Sequence, residues 1–150
     1  MGFEIRPALS ADAPFLAGCW RAMLDELEMA RAGLVPDWRE RLERAFAAGM
    51  AEERHGWFVA QAPEGPVGCA GVFFTETGLV QLDRIATIAG VYVAPASRRG
   101  GIARELTRRA IAWAKERGCV TVRLTAAERA EPLYRSLGFQ DGRELVLKLA

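Results

Sequence analysis

The chain has 150 residues, 51% of them hydrophobic and 26% charged, with a formal net charge of +1, so one domain spanning 1–150 with its own core is expected. Three widely spaced cysteines (Cys19, Cys69, Cys119), no C-x-x-C pair and a single histidine, His55, argue against any metal site and suit a reducing interior. No apolar run approaches the roughly 18 residues that cross a bilayer, and Met1 to Arg6 lacks a signal-peptide pattern; no membrane association and a cytoplasmic location are expected.

Phe3-Glu4-Ile5-Arg6 alternates and predicts a short first strand. Ser10 or Asp12 can cap a following helix, with Pro14 in its first turn. Phe15, Leu16, Cys19, Trp20, Met23, Leu24 and Leu27 recur at helical spacing. Gly33 and Pro36 interrupt that pattern, and Asp37 opens a second helix through Trp38, Leu42, Phe46 and Met50. Residues 57–62 and 67–74 predict a hairpin about the turn cluster Pro63-Glu64-Gly65-Pro66, followed by a loop over 75–83.

The β-branched run from Ile85 to Val93 predicts a buried strand. Ile102, Leu106, Ala110, Trp113 and Ala114 form one face of a helix that Gly118 ends. Residues 120–124 predict a strand, Leu133, Tyr134 and Leu137 a short helix between Pro132 and Gly138, and Leu145 to Leu149 a last strand. The order β-α-α-β-β-β-α-β-α-β makes the class α/β with a mixed sheet. Within it, 85–124 is a βαβ unit with parallel strands and a right-handed crossover. Trp20, Trp38, Trp57 and Trp113 fall on core-facing positions, and His55 near a strand start reads as surface structure.

The stretch Val91-Tyr92-Val93-Ala94-Pro95-Ala96-Ser97-Arg98-Arg99-Gly100-Gly101-Ile102-Ala103 leads from a buried strand through a glycine pair into a long helix. The first N–H groups of a helix have no internal partners, and with the helix dipole they attract anions. Glycine lets a phosphate approach the backbone, and Arg98, Arg99 and Arg104 can add charge-assisted contacts. The loop is neither G-x-x-x-x-G-K-[ST] nor G-x-G-x-x-G, which disfavours nucleotide-triphosphate and dinucleotide loops. A turn that uses glycine for geometry alone stays open at this point. Residues 98–123 carry eight basic side chains against two acids, a local excess of six positive charges. That excess fits an anionic ligand or a solvated helix face. Nucleic acid is disfavoured, since aromatic residues do not interleave with the arginines.

Arg98-x-x-Gly101-x-Ala103 matches the Q/R-x-x-G-x-G/A signature of the GNAT acyltransferases, and Leu133-Tyr134-x-x-Leu137-Gly138-Phe139 matches their L-Y-x-x-L-G-F motif. A helix and a strand stand between the two, and the element order agrees along nearly the whole chain. The sequence therefore resembles the GNAT N-acetyltransferase family. The resemblance implies the GNAT fold, a mostly antiparallel sheet whose fourth and fifth strands are parallel and splay apart.

It also implies acetyl-CoA (coenzyme A) as cosubstrate. Its pantetheine arm would lie against Val91, Tyr92 and Val93, and its pyrophosphate on the amides of Arg99, Gly100, Gly101, Ile102, Ala103 and Arg104, beside Arg98. The implied reaction is direct attack of a primary amine on the thioester within a ternary complex. A lysine-like amine with pKa near 10.4 costs about 4.6 kcal/mol to deprotonate at pH 7, so the site must favour the neutral amine. Tyr134 matches the family tyrosine that protonates the leaving sulfur, a contribution of about 10²–10⁴ in rate.

Two positions depart from the pattern. Many relatives carry Asn or Ser where Ala127 stands, seven residues before the tyrosine, and many carry a glutamate on the fourth strand, where 85–93 has no acid. The base is therefore unassigned among Asp25, Glu26, Glu28 and Asp83. Asp25, Glu26, Glu28, Asp37, Glu40 and Glu43 in the region 12–53 mildly favour a cationic acceptor, a small molecule, peptide or protein. The competing expectation is a non-catalytic acyl-CoA-binding module. Many relatives pair as homodimers, which leaves the oligomeric state open.

Overall fold

The computed structural model describes residues 2–27, 33–78 and 83–149. Its sheet has five strands in sequential order: β1 (Glu4–Pro7), β2 (His55–Ala62), β3 (Gly65–Thr77), β4 (Asp83–Val93) and β5 (Cys119–Arg123). The first four pair antiparallel, and β4 pairs β5 in parallel. The helices are α1 (Ala13–Glu26), α2 (Trp38–Met50), α3 (Ile102–Glu116) and α4 (Glu131–Ser136). The parallel pair forces a crossover, and α3 supplies it.

Period-two alternation along β2 and β3 divides two cores between the sheet faces. Phe58, Ala60, Val72 and Phe74 pack with Leu106, Ala110 and Trp113 of α3. Val59 and Cys69 face the other way, onto Leu16, Ala17 and Cys19 of α1 and Phe46 of α2. Trp20, Phe46 and Trp57 meet edge to face in this second layer, with centroids 4.7–6.5 Å apart. Asp12 precedes α1, yet its carboxylate accepts from the Leu9 N–H and from Arg6 rather than from the helix itself.

Three expectations need correction. Leu145 to Leu149 forms no strand, and β5 stands at the edge of the sheet. Alternation fixes which side chains share a face, but a strand also needs an edge to pair with, and no pattern supplies that. The loop expected over 75–83 is shorter, because β3 reaches Thr77 and Asp83 begins β4 as the partner of Thr77; its residues 79–82 lie outside the described residues. Trp38 is only half-buried and lies beneath the guanidinium groups of Arg21 and Arg39 rather than in the core.

Candidate active site

The site begins where the β4–β5 ladder stops. The last register pair is Thr87 with Arg123. Beyond it β4 runs on to Val93, while the chain after β5 turns away through Leu124 and Thr125 into a 3-10 turn at Glu128–Ala130. The strands separate, and among the described residues the edge of β4 from Ile88 onward has no strand beside it on that side. The gap is a cleft of about 690 Å³ between β4, the start of α3 and α4.

A β-bulge shapes the cleft wall. Cys69 pairs with Tyr92 and Gly71 with Ala89, so Gly90 and Val91 together face Ala70. Gly90 has φ +67°, and a Cβ there would stand 2.3 Å from the Trp20 ring. Only glycine fits both the backbone conformation and the indole. The bulge redirects the strand through Val91, Tyr92 and Val93, all of which line the cleft.

The glycine loop follows. A 3-10 turn at Pro95–Ser97 leads to Arg99 at φ +67°, then Gly101 at φ +83° as the N-cap of α3. Among the described residues, the backbone N–H groups of Arg99, Gly100, Gly101, Ile102, Ala103 and Arg104 donate to no other residue; the first helical bond runs from the Glu105 N–H to the Gly101 carbonyl. Six consecutive unpaired amides at a helix start form a concentrated positive end.

The three loop arginines have different roles. The Arg98 Nε donates to the Val93 carbonyl at 2.8 Å and its Nη2 to Glu26 at 2.7 Å, with the guanidinium over the Tyr92 ring. Arg104 donates to the Ser136 hydroxyl at 2.8 Å, which ties α3 to α4. Among the described residues only Arg99 of the three has its side chain unpaired.

Tyr134 sits on α4 with 8% of its surface exposed and lines the cleft. Its ring meets Phe139 edge to face at 5.9 Å. Burial pushes its hydroxyl above the ordinary value of 10.0, so it holds its proton through neutral pH. Among the described residues that hydroxyl has no hydrogen-bond partner, which suits a group that acts on a ligand.

The acids are spoken for. Asp25 pairs with Arg21 at 3.0 Å. Glu26 lines the cleft, but Arg98 and Arg129 (2.6 Å) hold it. The Arg98 hydrogen bond, aided by Arg129 and opposed by partial burial, keeps its carboxyl below the ordinary range. Asp83 lies at the opposite end of β4, outside the cleft wall, and Glu28 lies outside the described residues. A depressed carboxylate clamped by two guanidinium groups is a poor proton acceptor. Asp37 and Glu43 are likewise paired, with Arg41 and Arg39, so the acid count of 12–53 does not by itself make an anionic face.

Of the residues the sequence singles out, Val91, Tyr92, Val93, Arg98, Arg99, Gly101, Ile102, Ala103, Arg104 and Tyr134 line one cleft, whereas Gly100 is not in its wall. The sequence reading named Glu26 only as a candidate base, and it missed Arg129, Leu124 and Thr125 in the same wall. The lone glycine inside the apolar run 85–93 was the available signal for the bulge; Glu26 and Arg129 meet across 103 residues with no local signal. His55, stacked beside Phe73 at the head of β2, takes no part. The residues present fit coenzyme A: the amide run suits a diphosphate, and the open β4 edge suits an amide-bearing arm.

The Acetyltransferase (GNAT) family model matches residues 20–139. A predicted acetyltransferase of Clostridium acetobutylicum, solved with acetyl-CoA, superposes at TM-score 0.81 with 28% identity, covering 99% of this chain and 97% of that one. A GCN5-related N-acetyltransferase of Ralstonia eutropha superposes at TM-score 0.80 with 25% identity over 99% of both chains. Aminoglycoside N(6')-acetyltransferase type 1 of Acinetobacter haemolyticus is 34% identical over 80 residues, 51% of this chain and 55% of that protein. The chain thus spans about half the length of the curated relatives it matches. It belongs to the GNAT acetyltransferase family, whose members use acetyl-CoA.

Proposed function

We propose that residues 1–150 act as one acetyltransferase domain that moves the acetyl group of acetyl-CoA to a primary amine of a small molecule, peptide or protein. The observation that carries this reading is the run of six unpaired amides from Arg99 to Arg104, opening onto a cleft that also holds Tyr134. The diphosphate binds those amides, and the side chain of Arg99 adds a charge-assisted contact. Backbone groups of Val91–Val93 align the arm and its thioester along the open edge of β4. Arg98 acts from behind, holding Val93 and Glu26 in place.

The amine attacks the thioester carbon, a C–N bond forms, and the C–S bond breaks. Tyr134 gives its proton to the departing sulfur and regains one from solvent. With Asp25 and Glu26 paired and Asp83 outside the cleft wall, the amine arrives neutral, and the proton its nitrogen sheds after attack passes to water. A cytoplasmic location fits the free thiols.

The test is release of free coenzyme A thiol with a panel of primary amines that includes aminoglycosides, motivated by the relatives matched over 80 residues. Transfer to at least one amine above the rate of hydrolysis supports the reading. A second reading, an acyl-CoA-binding module without catalysis, is favoured by one observation: among the described residues the only carboxylate in the cleft wall, Glu26, is locked by two arginines. Binding of coenzyme A without transfer to any amine would select it.

A further inference from the structure

The cleft touches helices on both faces of the sheet, the start of α3 on one and the last turn of α1 on the other. Coenzyme A, bound as proposed above, occupies the α3 side and the edge of β4. The acceptor must then meet the thioester from the α1 side. Its walls there are Met23, Glu26 and Leu27, with Arg129 of the 3-10 turn across from them.

The charge at this opening is the reverse of what the acids of 12–53 suggest. One Glu26 oxygen accepts from Arg98 at 2.7 Å and the other from Arg129 at 2.6 Å. A single carboxylate thus meets two guanidinium groups, and one positive charge remains in excess. The neighbouring acids Asp25 and Glu128 lie outside the cleft wall. A polycationic acceptor would meet this excess as repulsion, with both Glu26 oxygens already engaged.

The two arginines differ in what they can still offer. Arg98 spends its Nε on the Val93 carbonyl and lies over the Tyr92 ring. Arg129 spends only Nη2, on Glu26; among the described residues its Nε and Nη1 donate to nothing. Glu26 pins one end of that guanidinium, so its remaining donors are held at the cleft wall before any ligand arrives. Donors of this kind make charge-assisted bonds to carboxylate and phosphate oxygens.

We propose that the acceptor is a primary amine that also carries a carboxylate or phosphate group, and that Arg129 takes this anionic group at the α1-side opening. The proposal rests on the acetyl transfer proposed above and narrows its acceptor. Arg129 anchors the anionic end, and the amine reaches past it towards the thioester beside Tyr134. The Arg129 side chain is 64% exposed, so salt screens the attraction.

The test compares γ-aminobutyrate and phosphoethanolamine with ethanolamine and putrescine, each rate taken per neutral amine present. At low salt, kcat/KM for at least one anionic amine should exceed that of the other two classes at least about tenfold, and the gap should narrow as salt is raised. Which anionic amine leads tells carboxylate from phosphate. Arg129→Gln should raise KM for that amine and bring the ratio to ethanolamine within about twofold, whereas Arg129→Lys should keep part of it. Transfer to ethanolamine or putrescine at least as fast as to both anionic amines would overturn the proposal, as would a preference that Arg129→Gln leaves intact. If no amine is acetylated, the proposed reaction fails, and calorimetry on the protein saturated with coenzyme A decides the acceptor site separately. Binding of an anionic amine that weakens at least about tenfold in Arg129→Gln would uphold the site. No binding of either anionic amine would overturn it.

Discussion

The Glu26 carboxylate at the end of α1 accepts a hydrogen bond from the Arg129 guanidinium, in the turn after β5, at 2.6 Å. Arg98 takes its other oxygen at 2.7 Å and also holds the last carbonyl of β4. The three side chains tie α1, β4 and the chain beyond β5 around one cleft, although 103 residues separate the first pair.

Replacing Glu26 by Gln should loosen this clasp. The groups are partly exposed, so each contact is worth at most about 1 kcal/mol after solvent screening. The arginines hold the carboxyl below its ordinary 4.5. Its contribution is therefore complete above that value and is lost as pH falls through the depressed one. Melting curves should show Glu26→Gln below the parent at pH 7, with the gap closing only as the pH falls below the ordinary 4.5. A gap that persists in acid would assign the loss to packing.

Tyr134→Phe removes one hydroxyl and leaves the ring against Phe139. Turnover should fall at least about tenfold, while coenzyme A affinity survives. Burial raises the hydroxyl above 10.0, so any loss of rate due to its deprotonation belongs above pH 10 and should vanish in the variant. Steady-state rates across alkaline pH check both statements; unchanged turnover would remove Tyr134 from the chemistry.

Gly101→Ala tests the amide run. Its φ of +83° costs a residue with a Cβ about 1 kcal/mol, although no protein atom lies within 4 Å of the new methyl. Melting should drop by about 2–4 °C. Coenzyme A affinity should fall at least about tenfold, because the methyl would stand where the proposed diphosphate meets the backbone. Calorimetry and melting curves separate the two effects.

Gly90→Ala meets both a positive φ and the Trp20 ring at 2.3 Å. It should cost about 2–4 kcal/mol in urea unfolding and misdirect Val91 and Tyr92. A neutral outcome would mean the bulge relaxes freely.

The parts legible in the sequence are those set by short-range chemistry. Gly101, Gly118 and Gly138 all take positive φ at the helix ends where they were expected, since only the local backbone decides them. The strand from 85 and the helix from 102 follow from their own periodicity in the same way. What escaped depends on distant partners. The Glu26–Arg98–Arg129 clasp has no sequence signature; arginines hold Asp25 and Glu26, and Asp83 lies outside the cleft wall. Leu145 to Leu149 carries a strand's pattern without a strand's neighbour. Gly90 inside the run read as a plain strand was a signal for the bulge that the sequence reading did not draw, and its fit to Trp20 left no local signal.

The proposed activity requires the amides from Arg99 to Arg104 to grip a diphosphate. Titrating the purified chain with coenzyme A in a calorimeter tests this most directly. Saturable one-site heat is expected, weakening at least about tenfold in Gly101→Ala and persisting in Tyr134→Phe. No heat, or equal heat in parent and Gly101→Ala, would contradict it.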